Sequence, residues 1–415
     1  MRNPDLNRKL MTALFVLLCL ACLCLSASAE VVRVQLITSA PCPTAQPTSA
    51  PTRQPAPTAT AEPVSDAELQ RQIDEIWRKY TAVGLSAAYV KDGAVAETYA
   101  SGWAALNAVP MTADTKVRVA SVSKVMVGLA AHLLEEEGTI DLDAPIDQAI
   151  GFYLRTRSSS DVVTPRSILT HTSSLKCQPT ASGVYDAVHA ILSDPDSYYS
   201  AISGSLKNWD YNNFAFYVLG LALEHCSGRT MDQILNPALC DPLKIDASFW
   251  AGDLRSPEQV ATVYADDHSI GLSWEEQTVV HSKGPAANGS VFAGNYHISA
   301  KDLGKIAATL ANNGWYGGRR VLSDQVINGL ESFFTTLTPD SNFYQAQPLR
   351  YRPDMYGRRG LYYHTGSAYG ELCFFSYDPF RRDGVVVLTT GAQRMSQGGI
   401  YGVCAEVAEL LYNAH

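Results

Sequence analysis

The sequence predicts an α/β (α+β) fold. It should have an antiparallel sheet built from both chain ends, flanked by helices, with a mostly helical subdomain inserted between them. Three observations carry this reading. Alternating, β-rich patterns lie near both ends of residues 66–415. The stretch between them, about 125–310, reads as helices and loops. No repeat of 20–50 residues divides the chain into stacked units.

The 415 residues are not all expected to fold. Arg2, Arg8 and Lys9 precede an uncharged run from Leu10 to Ala29 that ends in Ala27-Ser28-Ala29. A basic start, an apolar middle and a small-residue end make a signal peptide over 1–29. The alternative is an uncleaved anchor, because about twenty uncharged residues can just span a bilayer. A lipid anchor on Cys22 or Cys24 lacks the Leu usually found three positions earlier. Residues 30–65 form a Pro/Thr-rich linker, too poor in apolar and aromatic side chains to bury a core.

From residue 66 the elements follow in order. Asp66 and Glu68 open a helix through Tyr80, with Leu69, Ile73, Ile76 and Trp77 on one face. Gly84–Tyr89 and Ala94–Ala100 form a hairpin around Lys91-Asp92-Gly93. Val125–Leu134 is a long helical pattern, and Phe214–His225 is another. Near the C-terminus Leu372–Tyr377 and Val385–Thr390 are strands, and Ile400–Tyr412 closes the chain as a helix. One catalytic unit over 66–415 is expected, with its α/β part at about 66–124 and 311–415.

Charge and cysteine usage narrow the function classes. Net charge is −9, with no Lys/Arg cluster to neutralise phosphates, which argues against a nucleic-acid partner. Five cysteines remain after the linker, an odd number that cannot all pair within one chain. Cys373 and Cys404 lie in apolar patterns and read as buried free thiols.

Three short motifs could carry chemistry. Ser121-Val122-Ser123-Lys124 runs into the first long helix, and residues three apart share a helical face. If Ser121 starts the helix, the positive dipole end favours a developing alkoxide. A lysine in an apolar setting loses its proton readily and can take that of the serine. Chance yields roughly one S-x-x-K in such a chain. A second copy, Ser173-Ser174-Leu175-Lys176, runs into Cys-Gln-Pro and does not continue as a helix. Tyr211-Asn212-Asn213 offers a proton relay and an amide contact. It also reads as a helix cap beside a packed tyrosine. His364-Thr365-Gly366-Ser367 offers a strand open to a substrate backbone, or an ordinary edge strand. The histidines form no metal set, and neither H-E-x-x-H nor G-x-S-x-G occurs. His171 reads as a structural hydrogen-bonding residue rather than a base.

S-x-x-K, then Y-x-N, then H-T-G, in that order, resembles the serine β-lactamase-like family. That family includes penicillin-binding proteins, class C β-lactamases and related esterases. The resemblance covers nearly all of 66–415. Val117–Lys124 looks like the nucleophile segment, and Leu133–Asp143 like the stretch that follows it. Thr164–Leu175 looks like the H-T-S-G-L loop, with Ser174 in place of the usual Gly. Leu206–Asp210 lacks the Pro-Gly often found before the tyrosine motif.

The resemblance implies a β-lactamase/transpeptidase-like fold and assigns the residues. Ser121 attacks a carbonyl and is acylated, Lys124 eases removal of its proton, and Tyr211 shuttles the proton to the leaving group. Asn213 contacts the substrate amide. His364, Thr365, Gly366 and Ser367 flank the acyl chain. The N–H groups of Ser121 and Ser367 hold the oxyanion. No metal and no cofactor are implied. His364 stands where class C β-lactamases usually have Lys. H-T-G therefore looks more like D-alanyl-D-alanine carboxypeptidases and their esterase relatives. The expectation is a secreted, extracytoplasmic bacterial enzyme, cell-surface associated, acting on a peptidoglycan stem peptide or a β-lactam. The alternatives are a β-lactamase or esterase using the same residues, and a non-hydrolytic penicillin- or peptidoglycan-binding sensor. A membrane tether applies only if the N-terminal segment stays uncleaved, and nothing in the sequence sets the oligomeric state.

Overall fold

A computed structural model describes residues 66–205, 208–279, 284–336 and 342–415. The signal-like segment and the linker lie outside the described residues, as do Leu206 and Lys207 of the loop before Tyr211.

The main sheet has nine strands. In chain order they are β1 (Gly84–Lys91), β2 (Ala94–Ala105), β3 (Val109–Pro110), β4 (Thr335–Thr336), β5 (Tyr344–Gln345), β6 (Arg350–Arg352), β7 (Leu361–Ala368), β8 (Glu371–Asp378) and β9 (Asp383–Thr390). Their spatial order is β4-β5-β6-β7-β8-β9-β1-β2-β3, and every neighbouring pair runs antiparallel. The β1–β2 hairpin turns at Asp92 and Gly93, both with positive φ (52° and 74°), as a tight hairpin requires. β1 pairs on its other side with β9, Gly84 opposite Thr390, so the two chain ends share the middle of the sheet.

Strand alternation sorts the core into two layers, because successive side chains point to opposite faces. Leu85, Ala87, Tyr89, Leu372, Phe374, Val385 and Val387 face one layer. The terminal helices α1 (Asp66–Lys79) and α5 (Gly402–Ala414) cover it with Leu69, Ile73, Val403, Val407 and Leu411. Ala88, Val90, Cys373, Phe375, Val386 and Leu388 face the other layer. Helices α2 (Ser123–Glu136), α3 (Asn213–Ser227) and α4 (Ala300–Ala311) build that side. In α2 every residue from Ser123 to Leu134 is buried, as expected of a helix apolar nearly all round.

The structure adjusts some sequence expectations. The closing helix starts at Gly402, because Ile400–Tyr401 forms a small ladder with Ser396–Gln397. β2 runs on to Ala105, five residues beyond the expected end. β4, β5 and β6 were not expected; at two or three residues each they are too short to show an alternation. Among the described residues no disulfide forms; Cys177 is exposed, and Cys240, Cys373 and Cys404 are buried. Among the described residues no helix is long and apolar enough to cross a membrane.

Candidate active site

The site forms where the nucleophile segment meets β7. Strand Lys116–Arg118 pairs with His297–Ser299 and leads into a single 3₁₀ turn, Ala120–Val122, before α2 begins at Ser123. Ser121 therefore lies just ahead of the helix rather than in it. Ala120 has a φ of 45°, a left-handed conformation disfavoured for any residue with a Cβ. The neighbours hold it there. Ser123 Oγ donates to Ala120 O (2.6 Å) and accepts from Tyr296 N–H (2.9 Å), and Val119 N–H donates to Tyr296 O (2.8 Å). Nothing in the motif marked Ser123 as this staple.

Lys124 is fully buried, and its Nζ lies 3.2 Å from Ser121 Oγ. It also donates to Ala293 O (2.6 Å) and sits over the rings of Tyr211 and Phe216. No carboxylate pairs with it among the described residues. Burial, reinforced by the nearby charges of Arg118 and Arg350, holds its pKa well below the ordinary lysine value. The amine is thus suited to accept a proton. The second S-x-x-K differs: Lys176 is directed to Asp196 O (2.8 Å) in an exposed setting.

Tyr211 stands between the loop and α3. Burial raises its phenol pKa, offset in part by a hydrogen bond with Ser121 and by Arg350. The hydroxyl therefore stays protonated and can pass a proton on. Asn212 is the N-cap of α3: its Oδ1 accepts from Ala215 N–H (3.1 Å) and its Nδ2 donates to Leu175 O (2.7 Å). Asn213, the first residue of the helix, is exposed, leaving its amide available to a bound molecule.

Within β7, β6 pairs only with Leu361–Tyr363, so from His364 onward β7 has a ladder partner on the β8 side alone. His364 is buried, and its Nδ1 donates to Thr365 O (2.7 Å). Burial, then Arg350 and Lys124, hold its pKa well below the ordinary value, so the ring is neutral. Thr365 and Ser367 are partly exposed beside it. Gly366 differs from expectation. It makes room for the chain's own backbone, not only for a ligand: a Cβ there would lie 2.4 Å from Val119 O and 3.3 Å from Ala120 Cβ. This contact presses β7 against the turn that carries Ser121.

Two arginines escaped the sequence reading. Arg118 donates to Asn295 Oδ1 (2.9 Å) and lies 3.3 Å from the fully buried Glu371. It thereby joins the nucleophile strand to the start of β8. Arg350, on the three-residue β6, perturbs Lys124, Tyr211 and His364 electrostatically. Its guanidinium lies over Phe343 (4.7 Å) and forms no ion pair among the described residues. Ser174, in place of the usual Gly, is buried and donates to Asp161, while its N–H donates to Ser203 Oγ (3.0 Å). The substitution adds a tie within that loop.

Fold and site together point to a serine hydrolase, with Lys124 beside Ser121. The chain belongs to the β-lactamase family, whose model, described as Beta-lactamase, matches residues 69–401. Esterase EstB of Burkholderia gladioli is 30% identical over 223 residues, covering 48% of this chain and 55% of that one. Teichoic acid D-alanine hydrolase of Staphylococcus aureus is 23% identical over 273 residues, covering 64% of this chain and 60% of that one. The chain thus spans a little over half the length of these curated relatives. Among solved structures, the octameric penicillin-binding protein homologue of Pyrococcus abyssi aligns with a TM-score of 0.68 at 21% identity, over 83% of this chain and 76% of that one. D-amino acid amidase of Ochrobactrum anthropi SV3 aligns with 0.63 at 22% identity, over 83% and 98%. These two likenesses establish a shared fold.

Proposed function

We propose that the chain is an extracytoplasmic, acyl-enzyme-forming hydrolase of the D-alanyl-D-alanine carboxypeptidase type. The observation that carries this is the buried, charge-starved Lys124, 3.2 Å from Ser121 Oγ. Ser121 attacks the carbonyl and passes its proton to the neutral amine of Lys124. Tyr211 delivers a proton to the leaving group and regains one from Lys124; in deacylation this pair takes one proton from the attacking water and returns it to Ser121 Oγ as the acyl bond breaks. The N–H groups of Ser121 and Ser367 receive the oxyanion; losing one such donor costs on the order of 3 kcal/mol. Asn213 meets the substrate amide.

A neutral His364 attracts a substrate carboxylate less than lysine does. Arg350, free of an ion-pair partner among the described residues, supplies the positive potential instead. A second reading, ester hydrolysis, is favoured by that same neutral His364 and by the esterase and D-alanine hydrolase relatives. Turnover of a D-Ala-D-Ala peptide, a short-chain ester and a penicillin by one preparation separates the two. The nucleophile itself is tested by fluorophosphonate labelling. Wild type is expected to label and Ser121→Ala is not; equal labelling of both overturns the assignment.

A further inference from the structure

We propose that His171 is a positioning residue that sets Tyr211 against Ser121; this rests on the relay role proposed for the tyrosine. Tyr211 lies at a loop–helix junction, just before the Asn212 cap of α3. One residue forty positions upstream holds it at three points. His171 O accepts the N–H of Asp210, just before Tyr211 (3.0 Å). His171 Nδ1 accepts the N–H of Asn212, just after it (3.3 Å). The imidazole lies against the Tyr211 ring, with centroids 4.6 Å apart and planes 36° apart.

The geometry of His171 is itself forced. It is buried, and its φ is 56°, a left-handed backbone that a branched or bulky side chain seldom adopts. Because Nδ1 accepts an N–H, the ring proton sits on Nε2, which is buried without a hydrogen-bond partner among the described residues. A protonated ring would set N–H against N–H at Asn212 and bring a charge near Lys124, Arg350 and His364. The ring therefore stays neutral and serves by shape and acceptance. The N-cap side chain reinforces the clamp, since Asn212 Nδ2 donates to Leu175 O on the same loop (2.7 Å).

The test is a double-mutant cycle on the full chain with His171→Gly, His171→Asn, Tyr211→Phe and both double variants. It is read by kcat and KM on a p-nitrophenyl ester and by the rate of fluorophosphonate labelling. Gly and Asn both accept the left-handed backbone, and the Asn side-chain oxygen can keep the Asn212 N–H, so folding is retained in at least one of them. Misplaced groups of this kind cost about tenfold or more, so His171→Gly should lower kcat at least that far with KM little changed. His171→Asn should recover part of the loss. Neither should lower kcat further in the Tyr211→Phe background. An equal loss in both backgrounds, or no loss in His171→Gly while Tyr211→Phe is itself impaired, overturns the proposal. A crystal structure of His171→Gly separates the two layers of the argument. A tyrosine still within reach of Ser121 refutes positioning. A displaced tyrosine together with fully active Tyr211→Phe upholds positioning and refutes the relay role.

Discussion

In the proposed mechanism Lys124 carries the acid–base behaviour of the site, and its environment fixes the sign of the pH response. The amine works in its neutral form, so kcat/KM should rise as pH climbs through the depressed lysine pKa and then level off. Phenol ionisation on the alkaline side lies above the ordinary tyrosine value, because burial raises the Tyr211 pKa. Arg350→Met removes a positive charge that helps hold Lys124 deprotonated. Its acid limb should therefore move to higher pH in a kcat/KM profile; a downward move would contradict the electrostatic account. Lys124→Ala should lower turnover by about 10²- to 10⁴-fold, the usual contribution of a placed base, while leaving the Ser121 turn folded. At this scale much was legible. Serine, lysine and tyrosine are fixed by a local spacing and by order along the chain. Arg350 was not, because its relevance arises from a three-residue strand beside β7. The carbonyl of Ala293 that accepts from Lys124 lies 169 residues away and leaves no trace in side-chain identity.

The elements around the site depend on two contacts that short motifs only half reveal. Gly366 lets β7 approach the backbone of Val119 and Ala120. In Gly366→Ala the added carbon meets a carbonyl oxygen that cannot move without shifting the Ser121 turn. Overpacking of this kind costs about 1–3 kcal/mol. Urea denaturation should register that loss, and turnover should fall further than stability alone accounts for. Asn212→Ala removes the cap of α3, worth about 1 kcal/mol, and also strips Leu175 O of its side-chain donor. The midpoint of unfolding should drop, and His171 should loosen with it. The sequence marked Tyr211-Asn212-Asn213 as either a cap or a functional motif. In the structure Asn212 caps the helix, and Asn213 is exposed. The hairpins were readable from alternation and a positive-φ turn. The short strands β4–β6 were not, since their pairing depends on β7 rather than on any pattern of their own.

Across the whole molecule, several carboxyls are buried without a matching cation or share one unequally. Burial raises Glu224, Glu331 and Glu371 each to about 7, and Asp232 to about 6. In each case the folded state binds its proton more tightly than the unfolded chain does. The stability they contribute is present in full below the ordinary carboxyl range and is lost as pH rises towards about 7. Thermal unfolding should therefore show Tm falling between about pH 5 and pH 7 from these groups. Glu331→Gln should flatten that slope, because a neutral amide no longer ionises.

The sheet carries one further consequence, in the time domain. β1 waits about 300 residues for β9, its partner in the centre of the sheet. At roughly 5–20 residues per second, synthesis leaves that edge unpaired for roughly 15–60 s. Ser121 is made early, whereas Gly366, which packs against the turn that carries it, comes with the last strands. A chain cut short before β7 holds Ser121, Lys124 and Tyr211, yet lacks the strand that packs against the Ser121 turn. Under the proposed mechanism, the arrangement around Ser121 is thereby complete only once the last strands are made.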